Sequence, residues 1–195
     1  MSTFAWPAGL LPQTVSWGIQ KSATQSRSPM AGSVESIEFP GQFWRCSITL
    51  PERSIANGGA ASAFFERIAG GAERVLVPYW PRLLPSGTMR ASPTLSAPAV
   101  RGELSLSIST SGSLLAGDMI GVGAQVFRVL ADSFASGGVL VVPLVNRVRG
   151  PIAAGQPVIW NSPTGLFLMP SQSFAAVYSP RRQSGVAVDL EEAGS

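Results

Sequence analysis

The sequence predicts an all-β fold with one short helix, and three observations carry that expectation. Apolar residues alternate with polar ones along several segments, which is the period of a half-buried strand. The 21 glycines and 16 prolines interrupt these segments at short intervals, as turns between strands require. One segment leaves the pattern and spaces its apolar residues as a helix does.

In chain order, Val15, Trp17 and Ile19 alternate, and Trp44, Cys46, Ile48 and Leu50 do the same. Ala61, Phe64, Phe65 and Ile68 then stand at i, i+3, i+4 and i+7, one face of a helix. Asn57 is placed to cap its start and Gly70-Gly71 to end it, giving about ten residues near 60–69. Phe64, Phe65 and Ile68 are expected to face the core, with Glu66 and Arg67 turned away. Pro78 to Pro98 holds five prolines and reads as a long irregular crossing. Leu104, Leu106 and Ile108 alternate next, and the runs Val139 to Val142 and Leu166 to Met169 read as more deeply buried strands. Alternation restarts after Pro170 with Phe174, Ala176 and Tyr178, and ends with Val186, Val188 and Leu190. Glu191 to Ser195 reads as a frayed polar end. The expected architecture is discontinuous. Residues 1–81 with 171–195 form one β-barrel carrying the helix, 82–98 form a proline-rich crossing loop, and 99–170 form an inserted small β-barrel.

Composition narrows the function. Charged residues make up 13% of the 195, about half the usual share of roughly 25%. A surface so poor in charge fits a chain partly covered by copies of itself or by partners; a β-rich monomer with many Ser and Thr is the plainer account. Basic residues number 14 against 11 acidic, and all but Lys21 are arginine, spread along the chain. No segment interleaves basic and aromatic residues as a nucleic-acid groove does, so no specific nucleic-acid binding is expected. The only cysteine, Cys46, excludes an intrachain disulfide. Met1 to Leu11 does not read as a secretory signal, and the longest apolar run, Val139 to Val145, is broken by Pro143. The chain reads as soluble, made in a cytoplasm and without a membrane partner.

The absence of histidine removes Ser-His-Asp and Cys-His nucleophile systems and His-based zinc sites. No cofactor or metal is expected. A carboxylate pair of the glycosidase kind is the remaining catalytic option. Its candidates are Asp118, Asp132, Asp189, Glu35, Glu38 and the Glu191-Glu192 pair, and none forms a recognisable set.

The stretch LLAGDMIGVGAQVFRV (Leu114 to Val129) raises a nucleotide-loop alternative. Gly121-Val122-Gly123 supplies two glycines of a dinucleotide fingerprint, but Val126 stands where the third belongs and no helix pattern follows. The stretch instead reads as a turn at Ala116-Gly117-Asp118, with Asp118 bonding its own backbone two residues on. A hairpin of Met119 to Val122 and Gln125 to Leu130 then follows across a tight glycine-rich turn.

A family resemblance covers about residues 27 to 170. Arg27-Ser28-Pro29-Met30-Ala31-Gly32, then Phe39-Pro40-Gly41-Gln42-Phe43-Trp44, then Thr49-Leu50-Pro51 and a helix with a Phe pair resemble the N-terminal part of a family of phage tail proteins. Ala116-Gly117-Asp118, Phe127-Arg128-Val129, Gly137-Gly138 with Val141-Val142-Pro143-Leu144, and Pro163-Thr164-Gly165-Leu166-Phe167-Leu168 resemble its later part in the same order. The family is the distal tail and similar minor tail proteins of long, non-contractile-tailed bacteriophages. Asn146-Arg147 departs from it, standing where Leu-Arg is frequent. The resemblance implies a tail-tube-like β-barrel with a flanking helix and a structural role in the virion tail, assembled in the bacterial host cytoplasm. The partners implied are further copies in a ring, commonly a homohexamer, the tail tube protein and tail hub or tip proteins.

Two loops are expected to meet those partners. Arg27 to Gly32 offers Arg27 and Met30, and Pro78 to Pro98 offers Tyr79, Trp80 and Arg82, residue types that anchor protein interfaces. The alternative for these loops is that they fold back on their own barrel. Two other functions compete: a carbohydrate-binding β-sandwich for host-surface recognition, for which Trp80 is the best stacking candidate, and a cell-wall hydrolase.

Overall fold

The computed structural model describes residues 2–27 and 34–194, a chain that is mostly strand with one helix. It opens with β1 (Thr3–Ala5) and two long strands, β2 (Thr14–Arg27) and β3 (Val34–Thr49). β4 (Arg53–Ser54) leads into α1 (Ile55–Ile68), and β5 (Arg74–Pro78) follows it. Short strands come next: β6 (Thr94–Leu95), β7 (Ser105–Ser109), β8 (Ser113–Leu114), β9 (Met119–Val122) and β10 (Gln125–Arg128). After them stand β11 (Ser133–Phe134), β12 (Val139–Pro143), β13 (Val158–Ile159), β14 (Thr164–Leu168), β15 (Tyr178–Ser179), β16 (Arg182–Gln183) and β17 (Ala187–Glu192).

The main sheet has the order β1-β5-β14-β17-β3-β2, antiparallel except where β1 lies parallel to β5. Its inward residues are those the alternation picked out. Trp44, Cys46, Ile48 and Leu50 are buried, and Val186, Val188 and Leu190 of the paired segment meet them. Trp17 stands half-buried over this core, edge-on to Trp44, Tyr79 and Phe167.

Helix α1 closes one side of that core. Ala61, Phe65 and Ile68 are fully buried, Phe64 is half-buried against Trp6, and Glu66 and Arg67 face solvent. The cap differs from expectation. Ser54 is the N-cap, and Asn57 sits inside the first turn of a helix that begins three residues earlier than a cap at Asn57 allows. The hairpin of β15 and β16 explains the longer helix. Gln183 donates to Ser62 Oγ at 2.9 Å, Tyr178 Oη lies 2.9 Å from the same hydroxyl, and Gln183 packs where Gly58 has no side chain. Tertiary contact thus overrides the poor helix propensity of Gly58-Gly59. At the far end Gly70 and Gly71 adopt φ of 87° and 69°, and Gly70 N donates to Ser171 O.

A second core lies within residues 89–158, lined by Met89, Leu106, Ile108, Phe127, Leu140 and Val142 among others. Small sheets enclose it: β12-β7-β6, β10-β9-β13 and β11-β8. Two boundaries need correction. The segment expected to run to Pro170 ends earlier, because β14 pairs with β5 and β17 in the main sheet. Its apolar run suited either location, and only the long-range partners decide. Glu191 and Glu192 are not frayed but close β17, opposite Leu168 and Phe167. Val139 to Val142 is buried on one face only: Leu140 and Val142 point inward while Val139 and Val141 are exposed. Leu104, just ahead of β7, is exposed rather than in line with Leu106 and Ile108.

Two adjacent glycines in α1 should respond oppositely to alanine. A Cβ at Gly59 meets nothing within 4 Å, so Gly59→Ala is expected to raise stability by about 0.5–1 kcal/mol in denaturant unfolding. A Cβ at Gly58 would lie 2.8 Å from Gln183 Cβ, so Gly58→Ala is expected to cost roughly 1–3 kcal/mol. Phe65→Ala should cost about 3–5 kcal/mol and Phe64→Ala distinctly less, since only Phe65 is fully buried.

Candidate functional site

The expected anchor residues fall in different surroundings. Arg27 lies at the end of β2, exposed and opposite Val34; Met30 falls outside the described residues. Tyr79 is a core residue, 8% exposed and edge-on to Trp17. Trp80 is half-buried and edge-on to Trp6, with ring centres 5.2 Å apart. Arg82 is half-exposed and donates to Asp118 Oδ1 at 3.3 Å. The Pro78 to Pro98 segment packs on its own chain at Tyr79 and Trp80, leaves Leu83 and Leu84 exposed, and is tied down at Ser86 and Gly87 by a buried carboxylate.

Asp118 has no exposed side-chain surface and accepts from Ser86 N at 2.7 Å, Gly87 N at 3.0 Å and Leu115 N at 2.9 Å. It does not bond its backbone two residues on, as the sequence pattern suggested. It satisfies the turn behind it and pins the proline-rich segment in front. The pinned chain then passes so close to β8 that a Cβ at Gly112 would lie 2.5 Å from Met89 Cα, and one at Gly87 would lie 2.7 Å from Leu114 Cα. Met89 N completes the crossing by donating to Ser113 O.

Three other candidate carboxylates are also engaged in the fold, while the side chains of Glu35 and Glu38 fall outside what the structure describes. Asp189 pairs with Arg45 at 3.3 Å and accepts from Ser47 Oγ; Asp132 accepts from Ala116 N. Glu192 is buried against Arg149, with Nη1 2.8 Å from Oε2, and also accepts from Trp44 N. Burial pushes the Glu192 carboxyl above the usual carboxylate range, against the opposing pull of Arg149 and the Trp44 N–H. Cys46 is buried, and burial followed by the nearby Asp189 charge pushes its thiol up to about 12, far from a reactive thiolate. Among the described residues no three Asp, Glu or Cys side chains gather to hold a metal ion, and no helix is long and apolar enough to cross a membrane. The tryptophans are mostly packed inward. Trp160 packs half-buried against the second core, donates to Ala91 O and lies beneath the Arg90 guanidinium.

One feature without an internal explanation is the outer half of the β2–β3 hairpin. Its inner half belongs to the main sheet as far as Gln20↔Phe43. There the register shifts, with β3 gaining extra residues at Pro40-Gly41-Gln42. Proline cannot donate to a ladder and glycine tolerates the bend, so this dipeptide suits a bulge. Pairing resumes from Ser22↔Phe39 to Arg27↔Val34, an arm about 20 Å long at roughly 3.4 Å per residue. Lys21, the residues from Ala23 to Arg27, and Val34, Ser36 and Ile37 are all exposed, with Val34 at 56% and Ile37 at 61%. An isolated two-stranded ribbon is marginal in water, so an arm of this kind gains stability only by packing on something else. The sequence reading singled out Arg27 and Met30 near its end. It missed Val34 and Ile37, because an apolar residue on an unpacked ribbon has the same period as one in a core. In comparison with known proteins, no family model matches the chain and no curated protein matches it.

Asp118→Asn replaces an acceptor oxygen with an amide that faces N–H donors. It should cost about 2–4 kcal/mol in denaturant unfolding. Glu192 predicts a pH dependence. Its raised folded pKa means the native state holds the proton more tightly than the unfolded chain. Its contribution is therefore fully present below the ordinary carboxylate pKa and is lost as pH rises through the folded value. The stability of wild type relative to Glu192→Gln should fall with rising pH across that window.

Proposed function

We propose that this chain is a structural subunit of a bacteriophage tail, forming a ring that joins the tail tube to the tail tip, and that it carries no catalytic activity. The main sheet with α1 is the ring-forming, tail-tube-like barrel, and the residues around the second core are a small barrel inserted into it. The observation that carries this reading is the projecting arm. A ring gives such an arm a neighbouring copy to pack on, in a head-to-tail contact that repeats until the circle closes. The low charge content supports the same reading, since each copy in a ring covers two different faces. The ordered motif resemblance supplies the tail as the setting. The candidate partners remain further copies in a homohexamer, the tail tube protein and the hub or tip proteins. The sugar-binding alternative has less support, because Trp80 rests on Trp6 rather than standing free.

Val34→Asp with Ile37→Asp tests the proposal. Both side chains are exposed, so the double variant should fold with a stability change within about 1 kcal/mol. Rings should be lost in light-scattering mass measurement and negative-stain images, and tail assembly should fail in infected cells. A wild-type chain that stays monomeric at every concentration, together with normal tails from the double variant, would sink the reading.

A further inference from the structure

Beside β17 the main sheet is incomplete. β14 and β17 pair only at Phe167↔Glu192 and Leu168↔Glu191, with Ala193 N donating to Leu166 O just beyond. Continuing that register would set Pro170 opposite Asp189. Proline has no N–H to give, so the ladder cannot extend there. The chain turns away instead: Met169 bridges to Ala69, and Gly70 N donates to Ser171 O. A cleft of about 300 Å³ opens between β17 and the departing segment, lined by Met169, Ser171, Phe174, Ala187 and Asp189 among others.

The cleft presents main-chain groups. Leu50 N donates to Val186 O across the β3 side, so even-numbered residues of this segment face β3. In an antiparallel ladder the alternate residues face the other way. Ala187 and Asp189 therefore turn their N–H and C=O groups into the cleft. Among the described residues no strand pairs with them on that side, and no residue from Ser171 to Val177 bonds to them. These groups are spaced at the strand repeat, two donors and two acceptors along about 10 Å. Another extended backbone matches that array.

We propose that this cleft is a strand-addition site, which takes a short extended segment of another protein chain, about three or four residues long, as an added antiparallel strand on β17. Main-chain hydrogen bonds at Ala187 and Asp189 supply the attachment, and the wall carrying Met169 and Phe174 receives alternate side chains of the visitor, favouring β-branched residues. The inference stands independently of the assembly reading above.

The test is amide hydrogen exchange read residue by residue on the whole chain. In the free protein, the Ala187 and Asp189 amides should exchange faster than those of Val188 and Leu190, which lie in the ladder with β3. An acetylated six-residue peptide alternating threonine and valine, at millimolar concentration, should slow the two cleft amides about tenfold or more. The same peptide N-methylated at alternate bonds should not. Ala187→Pro removes one cleft donor without touching the β3 ladder, and should abolish the peptide effect. Equal protection of all four amides in the free protein would overturn the proposal, because the edge would already be paired. So would a peptide that slows nothing, or one that acts the same with and without N-methylation.

Discussion

The structure depends on one hairpin that is buried on both faces. β9 and β10 are joined by Gly123 and Ala124 in left-handed conformations, φ 56° and 64°, the turn that matches the twist of tightly connected strands. Met119 and Val126 point into the main core, while Ile120, Val122 and Phe127 point into the second. The period-two alternation that normally separates core from solvent here separates one core from another. Val126 is fixed there by polar contacts as well, its carbonyl accepting from Trp44 Nε1 at 2.9 Å and from Asn146 Nδ2 at 2.8 Å. A ribbon with apolar residues on both sides has no solvated orientation available, so neither core closes without it.

Absence of side chains makes the same joint close. Gly165 of β14 lies where a Cβ would be 2.9 Å from Phe167 Cε2 and 3.1 Å from Val126 Cγ2. A Cβ at Gly121 would lie 3.3 Å from Thr164 O. Buried polar groups hold the periphery of the joint. Arg149 reaches Glu192 from the second unit, and Gln125 accepts from Arg149 N while donating to Gly150 O. Removing one member of such a set leaves the others buried without partners, which costs more than the bond itself was worth. The units on either side therefore share their stability.

What the sequence made legible follows from locality. Alternation at Trp44 to Leu50 and at Val186 to Leu190, the helical face from Ala61 to Ile68, and the tight turn at Gly123 all depend on residues close in the chain. What stayed hidden depends on distant partners. The apolar run from Leu166 to Met169 suits either unit, and its place in the main sheet is decided by β5 and β17. Asp118 looked like a self-contained turn residue, yet two of its bonds go to Ser86 and Gly87, some thirty residues earlier. Those long-range bonds also tie the proline-rich segment to its own chain at Ser86 and Gly87, while Tyr79 is a core residue because it follows β5, donates to Pro163 O and packs on Trp17. In the candidate site, Arg27 was legible as a residue type suited to interfaces. Val34 and Ile37 were not, because local pattern does not record which apolar face lacks a partner.

Edge protection gives the arm its meaning. β2 is the outermost strand of the main sheet, and among the described residues no strand pairs with its outer side. Proteins usually blunt such edges with prolines, repeated charges or a covering loop. From Thr14 to Arg27 there is no proline, and the charged side chains are Lys21 and Arg27 alone. The bulge at Pro40-Gly41-Gln42 bends the ribbon but sits on β3, the inner strand of the pair, and not on the edge strand β2. A strand at the edge of a sheet, continuing into a two-stranded ribbon with exposed Val34 and Ile37, is a hazard for a chain meant to stay alone. It becomes a contact surface for a chain meant to associate, because the same unpaired groups and apolar side chains are satisfied together when a partner covers them.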